Sequence, residues 1–231
     1  MFSVSFLLAC LAEAARGIPY TLLITAVSII TALVLGYGFA LIRIHKIPGL
    51  NALVILFVSL IRGTPVIAQL FLVFFCLPMA VMSAFPDVNL YSVNPLFFAF
   101  IVFSLNATSS MTEILRSALS SVEKGQLEAA QSIGMTHFQA YRRIIIPQAA
   151  ATALPALCNL TTGILKMTSL GMQISVMEIT GRAKTLASES YRYLEGFVAC
   201  LIIYLLLNFL IEKFFRSAEI HMKQYKALPV E

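Results

Sequence analysis

Five stretches free of Asp, Glu, Lys and Arg run through the chain, over residues 17–42, 63–86, 88–112, 144–165 and 196–211. A helix crosses the hydrocarbon of a bilayer with roughly 20 apolar residues, so this pattern predicts five membrane-spanning helices. Their expected bounds are about 17–43, 50–78, 95–116, 144–168 and 193–214. The second begins early because residues 50–60 are strongly apolar and lead straight into Arg62, which places that cation inside a span. It is expected to end near Pro78, leaving residues 79–95 as a loop rich in Pro, Ser and Asn. The fifth stretch is short, and Tyr191, Tyr193 and Tyr204 are available as interfacial anchors.

Composition agrees with that pattern. The 231 residues are 59% hydrophobic and 12% charged, with mean hydropathy +0.89, against about 45–50% and about 25% in soluble domains. A water-soluble globule is excluded, and the fold expected is an all-α integral membrane protein, a single transmembrane domain over residues 1–231. No internal repeat or low-complexity tract divides it. The net charge of +5 reads as an orientation signal, with no nucleic-acid partner implied. Cations concentrate on one side: Arg43, Lys46, Arg116, Lys124, Arg142, Arg143, Lys213, Arg216, Lys223 and Lys226, against Arg16, Arg182, Lys184 and Arg192 on the other. The positive-inside rule then puts the C-terminus in the cytoplasm and the N-terminus outside. The absence of Lys or Arg before Arg16 argues against a cleaved signal peptide. Cys10, Cys76, Cys158 and Cys200 stand alone in apolar surroundings, and His45, His137 and His221 lack ligand spacing, so no metal site is expected. No G-x-x-x-x-G-K-[ST] loop is present to cradle a nucleotide, and no nucleophile and base stand together; all three His fall on cytoplasmic segments, which makes an intramembrane protease a poor alternative.

The polar segment between the third and fourth spans carries the clearest signals. Ser120 with Glu123 has the spacing of a capping box, which predicts a helix start there. Leu127, Ala130 and Ile133 share one face, and Gly134 suits the left-handed residue that closes a helix. Thr136 with Gln139 forms a second capping box, opening the helix that climbs past Pro147 into the fourth span. A short helix over about 120–135 is expected, and its small Ala129-Ala130 pair admits close approach of another surface. A helix merely bridging two spans fits these residues equally well. The outer segment at 171–195, with Glu178, Arg182, Lys184 and Glu189, reads either as a solvated connector or as a cover for the extracellular mouth.

Glu128-Ala129-Ala130, Gly134, Ile144 and Pro147 resemble the EAA loop of permease subunits of bacterial ABC importers. Arg62-Gly63-Thr64-Pro65 with Gln69-Leu70-Phe71, Gly125 to Ala130, Ile146-Pro147-Gln148-Ala149, the Leu154-Pro155 and Asn159 spacing, and Lys166-Met167-Thr168-Ser169-Leu170 are similar to its polar amino-acid uptake branch (the histidine, glutamine, arginine and cystine permeases). The chain departs from that branch at Ser110, where a Tyr is usual, and at Met167, where an Asp is usual. The resemblance implies a type I ABC importer permease with a cytoplasmic coupling helix between spans 3 and 4, in which Glu128, Ala129, Ala130 and Gly134 couple to a cytoplasmic ATPase dimer. It implies a second permease chain, identical or homologous, an extracytoplasmic amino-acid-binding protein and an amino-acid substrate, polar or sulfur-containing, with cystine among the candidates. This chain would need no cofactor, ATP and Mg being bound by the partner ATPase, and would not be an enzyme itself. Its place would be the bacterial cytoplasmic membrane.

Within the spans, Arg62, Thr64, Glu113, Lys166, Thr168 and Ser169 are the candidates for a substrate pathway, because an unpaired charge facing lipid is expensive. Arg62 is expected either to meet a substrate carboxylate or to pair with Glu113. Asn106, Thr108, Ser109, Ser110 and Thr112 are expected mainly to hydrogen-bond and pack helices. The alternative reading is a stand-alone homodimeric secondary carrier or channel for a small polar solute, and a further one is a membrane anchor.

Overall fold

The computed structural model describes residues 2–222, and among them the chain is helical with no strand. Helix α1 (Val4–Ala15) leads through Arg16 and Gly17 into α2 (Ile18–His45), followed by α3 (Leu50–Gly63), α4 (Val66–Phe71) and α5 (Leu77–Ala84). The long α6 (Pro95–Ser120) precedes the short α7 (Lys124–Ser132) and α8 (His137–Ala140). Then come α9 (Ile146–Met167), α10 (Ile179–Glu189) and α11 (Tyr193–Met222). Five continuous helical runs are long and apolar enough to cross a membrane: Val4–His45, Val66–Ala84, Pro95–Ser120, His137–Ile174 and Tyr193–Met222. Lys223 and Lys226, counted among the C-terminal cations, lie outside the described residues.

The expected second span is corrected. It is not one helix over 50–78: α3 stops at Gly63, and Thr64 is extended at φ −122° and ψ 145°. Pro65 forces this, because its ring drives the preceding residue out of the helical region and it has no N–H to donate. Arg62 therefore lies in the last turn of a short helix and not within an unbroken span. Helix resumes at Val66 and continues to Ala84, so residues 79–84, expected in a loop, are helical and the loop shrinks to 85–94. Within that run a π-helical turn over Leu72–Cys76 precedes Pro78, and another over Tyr141–Ile145 precedes Pro147. A wider turn relieves the clash between each proline ring and the carbonyl four residues earlier.

α6 is the axis of the bundle, with twelve buried residues from Phe98 to Ala118. Against it α2 turns Ser28, Ala32, Gly36 and Ala40, all buried and four residues apart. Lipid tails are as apolar as side chains, so close backbone approach is what holds membrane helices together. The fit is tight: a Cβ on Gly36 would lie 2.8 Å from Met111 Cγ and 3.2 Å from the Thr112 amide nitrogen. Two hydroxyls of this polar stretch turn onto their own helix, Thr112 donating to the Thr108 carbonyl (2.8 Å) and Ser109 to that of Asn106 (2.9 Å).

At one end of the bundle α10 packs onto α1, α2 and α11. Ile179, Gly181, Ala183 and Ala187 are buried there, and Ile179 and Ala183 join Ala14, Leu165, Cys200 and Ile203 in one apolar cluster. The 171–195 segment is thus a packed element and not a solvated connector. At the other end α7 and α8 hang between α6 and α9.

Candidate functional site

Close to the Thr64-Pro65 break, a cavity of about 450 Å³ is lined by Arg62, Asn106, Ser110, Glu113, Asn159 and Met167, among others. It lies between α3, α6 and α9. Arg62 has no ion-pair partner among the described residues, whereas Glu113 has two. Its Oε1 accepts from Arg43 Nη1 at 2.5 Å, and its Oε2 accepts from Arg116 Nε and Nη2 at 3.0 and 2.9 Å. The expected Arg62–Glu113 pair is accordingly replaced by Arg43 on α2 and Arg116 one turn along α6. Two guanidiniums on one carboxylate leave the cavity with Arg62 as its uncompensated cation.

The other expected pathway residues separate. Thr64 sits at the break, its hydroxyl donating to the Leu60 carbonyl at 2.8 Å. Lys166 is exposed beside the cavity wall, and Ser169, exposed in its hydrogen bond, donates back to the Lys166 carbonyl at 2.8 Å. Thr168 is fully buried, donating to the Leu165 carbonyl at 2.8 Å, and it does not line the cavity. Its neighbours fall on different sides because the helix tightens to a 3-10 turn at Thr168–Ile174.

Gln69 stands in the second-span motif quoted above, but no charge argument gives it a role. Its Nε2 donates to the Ile61 carbonyl (2.8 Å), the Thr64 carbonyl (3.2 Å) and the Thr64 hydroxyl (2.7 Å), and its Oε1 accepts from Asn106 Nδ2 (2.7 Å). It satisfies carbonyls that the helix break orphans and ties the break to α6. Its signal in the sequence is a polar side chain four residues past a proline in an apolar run.

The cytoplasmic-helix candidates lie on α7. Glu128, Ala129 and Gly134 are exposed, while Ala130 is buried. Gly134 stands at φ +83°, the left-handed closure expected of it. Around it, Ile133 is 74% and Phe138 73% exposed, so Ile133 does not share the buried face with Ala130. The Thr136–Gln139 capping box is present in both directions. The Ser120–Glu123 box is not: Ser120 is the last residue of α6, and α7 starts at Lys124 with no side-chain cap. α6 runs on through Ser120 because Leu119 and Ala118 still pack, so the cap residue is consumed by the preceding helix.

At the opposite end, Glu178 is fully buried at the start of α10. Its carboxylate accepts from the backbone N–H of Thr180 (2.9 Å) and Gly181 (2.8 Å) and from the Tyr204 hydroxyl (2.8 Å). Burial pushes its pKa above the ordinary glutamate value, against the pull of those three donors.

This architecture matches known proteins. The family profile of the binding-protein-dependent transport system inner membrane component covers residues 32–219. The chain belongs to that family. It is a multi-pass permease of the bacterial inner membrane. Relatives similar along most of its length include the L-cystine transport system permease protein TcyL of Bacillus subtilis (strain 168), 39% identical over 90% of this chain and 86% of that one. The octopine transport system permease protein OccM of Rhizobium radiobacter is 36% identical over 94% and 89%. Among solved structures, an amino acid ABC transporter crystallised with histidines superposes with TM-score 0.81 at 27% identity, covering 96% of this chain and 99% of that one. The MetNI methionine ABC transporter, at TM-score 0.69 and 19% identity over 96% and 99%, shares the fold. The fold is that of a type I ABC importer permease.

Proposed function

We propose that this permease is the transmembrane subunit of an ATP-driven importer that takes up an amino acid, polar or sulfur-containing and with L-cystine as the first candidate, across the cytoplasmic membrane. The observation that carries the reading is the exposed α7 surface: a helix between two spans that presents Glu128, Ala129, Ile133 and Phe138 around the left-handed Gly134. Apolar side chains of that size left open mark a surface made for a partner. The partner proposed is a cytoplasmic ATPase dimer, carrying ATP and Mg, whose closure pulls α7 and turns the cavity outward. A second permease chain completes the pathway, and an extracytoplasmic binding protein delivers the substrate at the α10 end, with the C-terminus cytoplasmic.

The cavity supports the substrate class. Arg62 suits a carboxylate, the amides of Asn106 and Asn159 suit polar groups, and Met167 with Leu160 and Ile164 offers a soft apolar wall. With Met where the similar permeases carry Asp, the site lacks a free carboxylate for a cationic side chain.

The test is co-purification in mild detergent with the ATPase and any second permease expressed alongside, followed by uptake in proteoliposomes. Two ATPases bound to two permease chains, and cystine uptake that stops without ATP, are the expected results. A folded dimer that never retains an ATPase and transports on an ion gradient would favour the secondary carrier instead.

A further inference from the structure

We propose that Gln69 is a positioning residue that makes the cavity select for the α-ammonium group of its substrate. The inference rests on the amino-acid reading of the cavity given above and adds the element that reads one end of the zwitterion.

The argument runs through amide geometry. A Gln amide has one acceptor end and one donor end, and its direction follows from what surrounds it. Gln69 faces the carbonyl oxygens of Ile61 and Thr64, at 2.8 and 3.2 Å, and these only accept. Its NH₂ must therefore point at the helix break, which leaves Oε1 toward α6. Asn106 meets that oxygen at 2.7 Å and so must offer its own NH₂. The second Nδ2 hydrogen is taken by the Val102 carbonyl at 2.9 Å. Both donors of Asn106 are consumed, and Oδ1 has no partner among the described residues. Asn106 lines the cavity, so what it presents there is an acceptor.

That acceptor stands in the same cavity as Arg62, a cation without a partner, while Glu113 is already held by Arg43 and Arg116. A cation and a bare amide oxygen suit a carboxylate and an ammonium on one small molecule. The orientation is fixed from two sides, by the Val102 carbonyl within α6 and by the broken helix acting through Gln69. Without Gln69 only the Val102 carbonyl holds the Asn106 amide, which then turns more readily to present a donor that an ammonium cannot use.

The test measures binding to the purified transporter complex in nanodiscs. The twenty standard amino acids and L-cystine are screened on the wild type, and each binder is paired with its analogue bearing hydrogen for the α-amino group: 3,3′-dithiodipropionate for L-cystine, 4-carbamoylbutanoate for L-glutamine. The wild type should prefer the amino acid by about tenfold or more, the range of a hydrogen bond to a charged group. Gln69→Leu should bring that preference below about threefold, chiefly by weakening the amino acid. Asn106→Leu, which removes the oxygen itself, should lose the preference. A folded Gln69→Leu that keeps the wild-type preference overturns the inference. If that variant does not fold, an Asn106→Leu protein that keeps the preference overturns it equally. A wild type that binds no amino acid overturns the amino-acid reading itself, which is a different result.

Discussion

The two ends of this permease are built on opposite terms. Where α10 meets α1, α2 and α11, nearly everything is committed. Glu178 is buried with three donors, Arg182 Nη1 bridges to Glu13 at 2.8 Å, and the Ser3 amide donates to Glu195 at 3.0 Å. At the α7 end, side chains of the same kinds are left open: Glu128 is exposed, Ile133 and Phe138 stand free, and Arg62 lacks a partner by the cavity. Buried polar groups with full partners rigidify a structure, whereas segments with few buried contacts open at low cost. Under the proposed function, the α10 end serves as a frame, with the α7 end and the cavity as the working parts. Mutations should then divide by end, function failing at one and stability at the other.

The sharpest break of that division is at α7. Glu128→Lys and Gly134→Val should each abolish transport while the permease remains in the membrane at wild-type level. Glu128 is exposed and makes no contact that folding needs, and a Val at Gly134's φ of +83° costs about 1–2 kcal/mol, confined to a surface turn. Uptake in proteoliposomes at matched protein amount measures this, and normal uptake by either variant removes α7 from the working parts.

Next in size is the reverse case. Gly17→Ala should destabilise by about 1–3 kcal/mol, because its Cβ would come within 2.4 Å of the Glu178 carbonyl carbon and the Ile179 nitrogen. Both are backbone atoms and cannot swing aside. Glu113→Gln belongs between the two regions. Its ion pairs are only about one-fifth exposed on the Glu113 and Arg43 sides, and removing the charge leaves two guanidiniums facing each other. A loss of about 1–3 kcal/mol is expected. The Arg43→Glu, Glu113→Arg double exchange should recover part of it. Thermal denaturation in detergent reads all of these.

How far the sequence foretold this division depends on what kind of contact decides each part. The left-handed Gly134 and the Thr136–Gln139 cap were legible because both are local, set within four residues. Ser120–Glu123 has the same local signature, yet tertiary packing of α6 overrode it. The broken second span was half legible: Gly63-Thr64-Pro65 is a helix terminator by its own chemistry, but the apolar run on both sides hid it from a hydropathy reading. Partner choice was out of reach. Nothing in the spacing says that Glu113 takes Arg43, seventy positions away, in preference to Arg62, or that Thr168 turns inward while Ser169 stays out. Gln69 carried no charge to draw attention, and its role appears only when the orphaned carbonyls of Ile61 and Thr64 are accounted for.

A smaller effect sharpens the frame through pH. Burial holds the Glu178 pKa above its ordinary value, so the folded chain binds that proton more tightly than the unfolded one. Its contribution to stability is present at acid pH and lost as pH rises from the ordinary glutamate value through the raised native one. The melting temperature of the wild type should fall across that window relative to Glu178→Gln, which has no proton to lose. Parallel curves for the two would mean that the carboxylate's three donors offset its burial completely.

The smallest effect on stability is the one that best separates frame from working parts. A Cβ added at Gly163 or at Gly38 would meet nothing within 4 Å, and both glycines sit in helices. Alanine at either should stabilise by about 0.5–1 kcal/mol through helix propensity and the lost freedom of the unfolded chain. Gly163, however, lines the cavity and Gly38 does not. Gly163→Ala should therefore raise the melting temperature slightly while raising the substrate KM several-fold, by a methyl group projecting into the open cavity. Gly38→Ala should change the first and leave the second alone. If the two variants transport alike, the cavity at the helix break is not on the substrate's path, however well its side chains suit an amino acid.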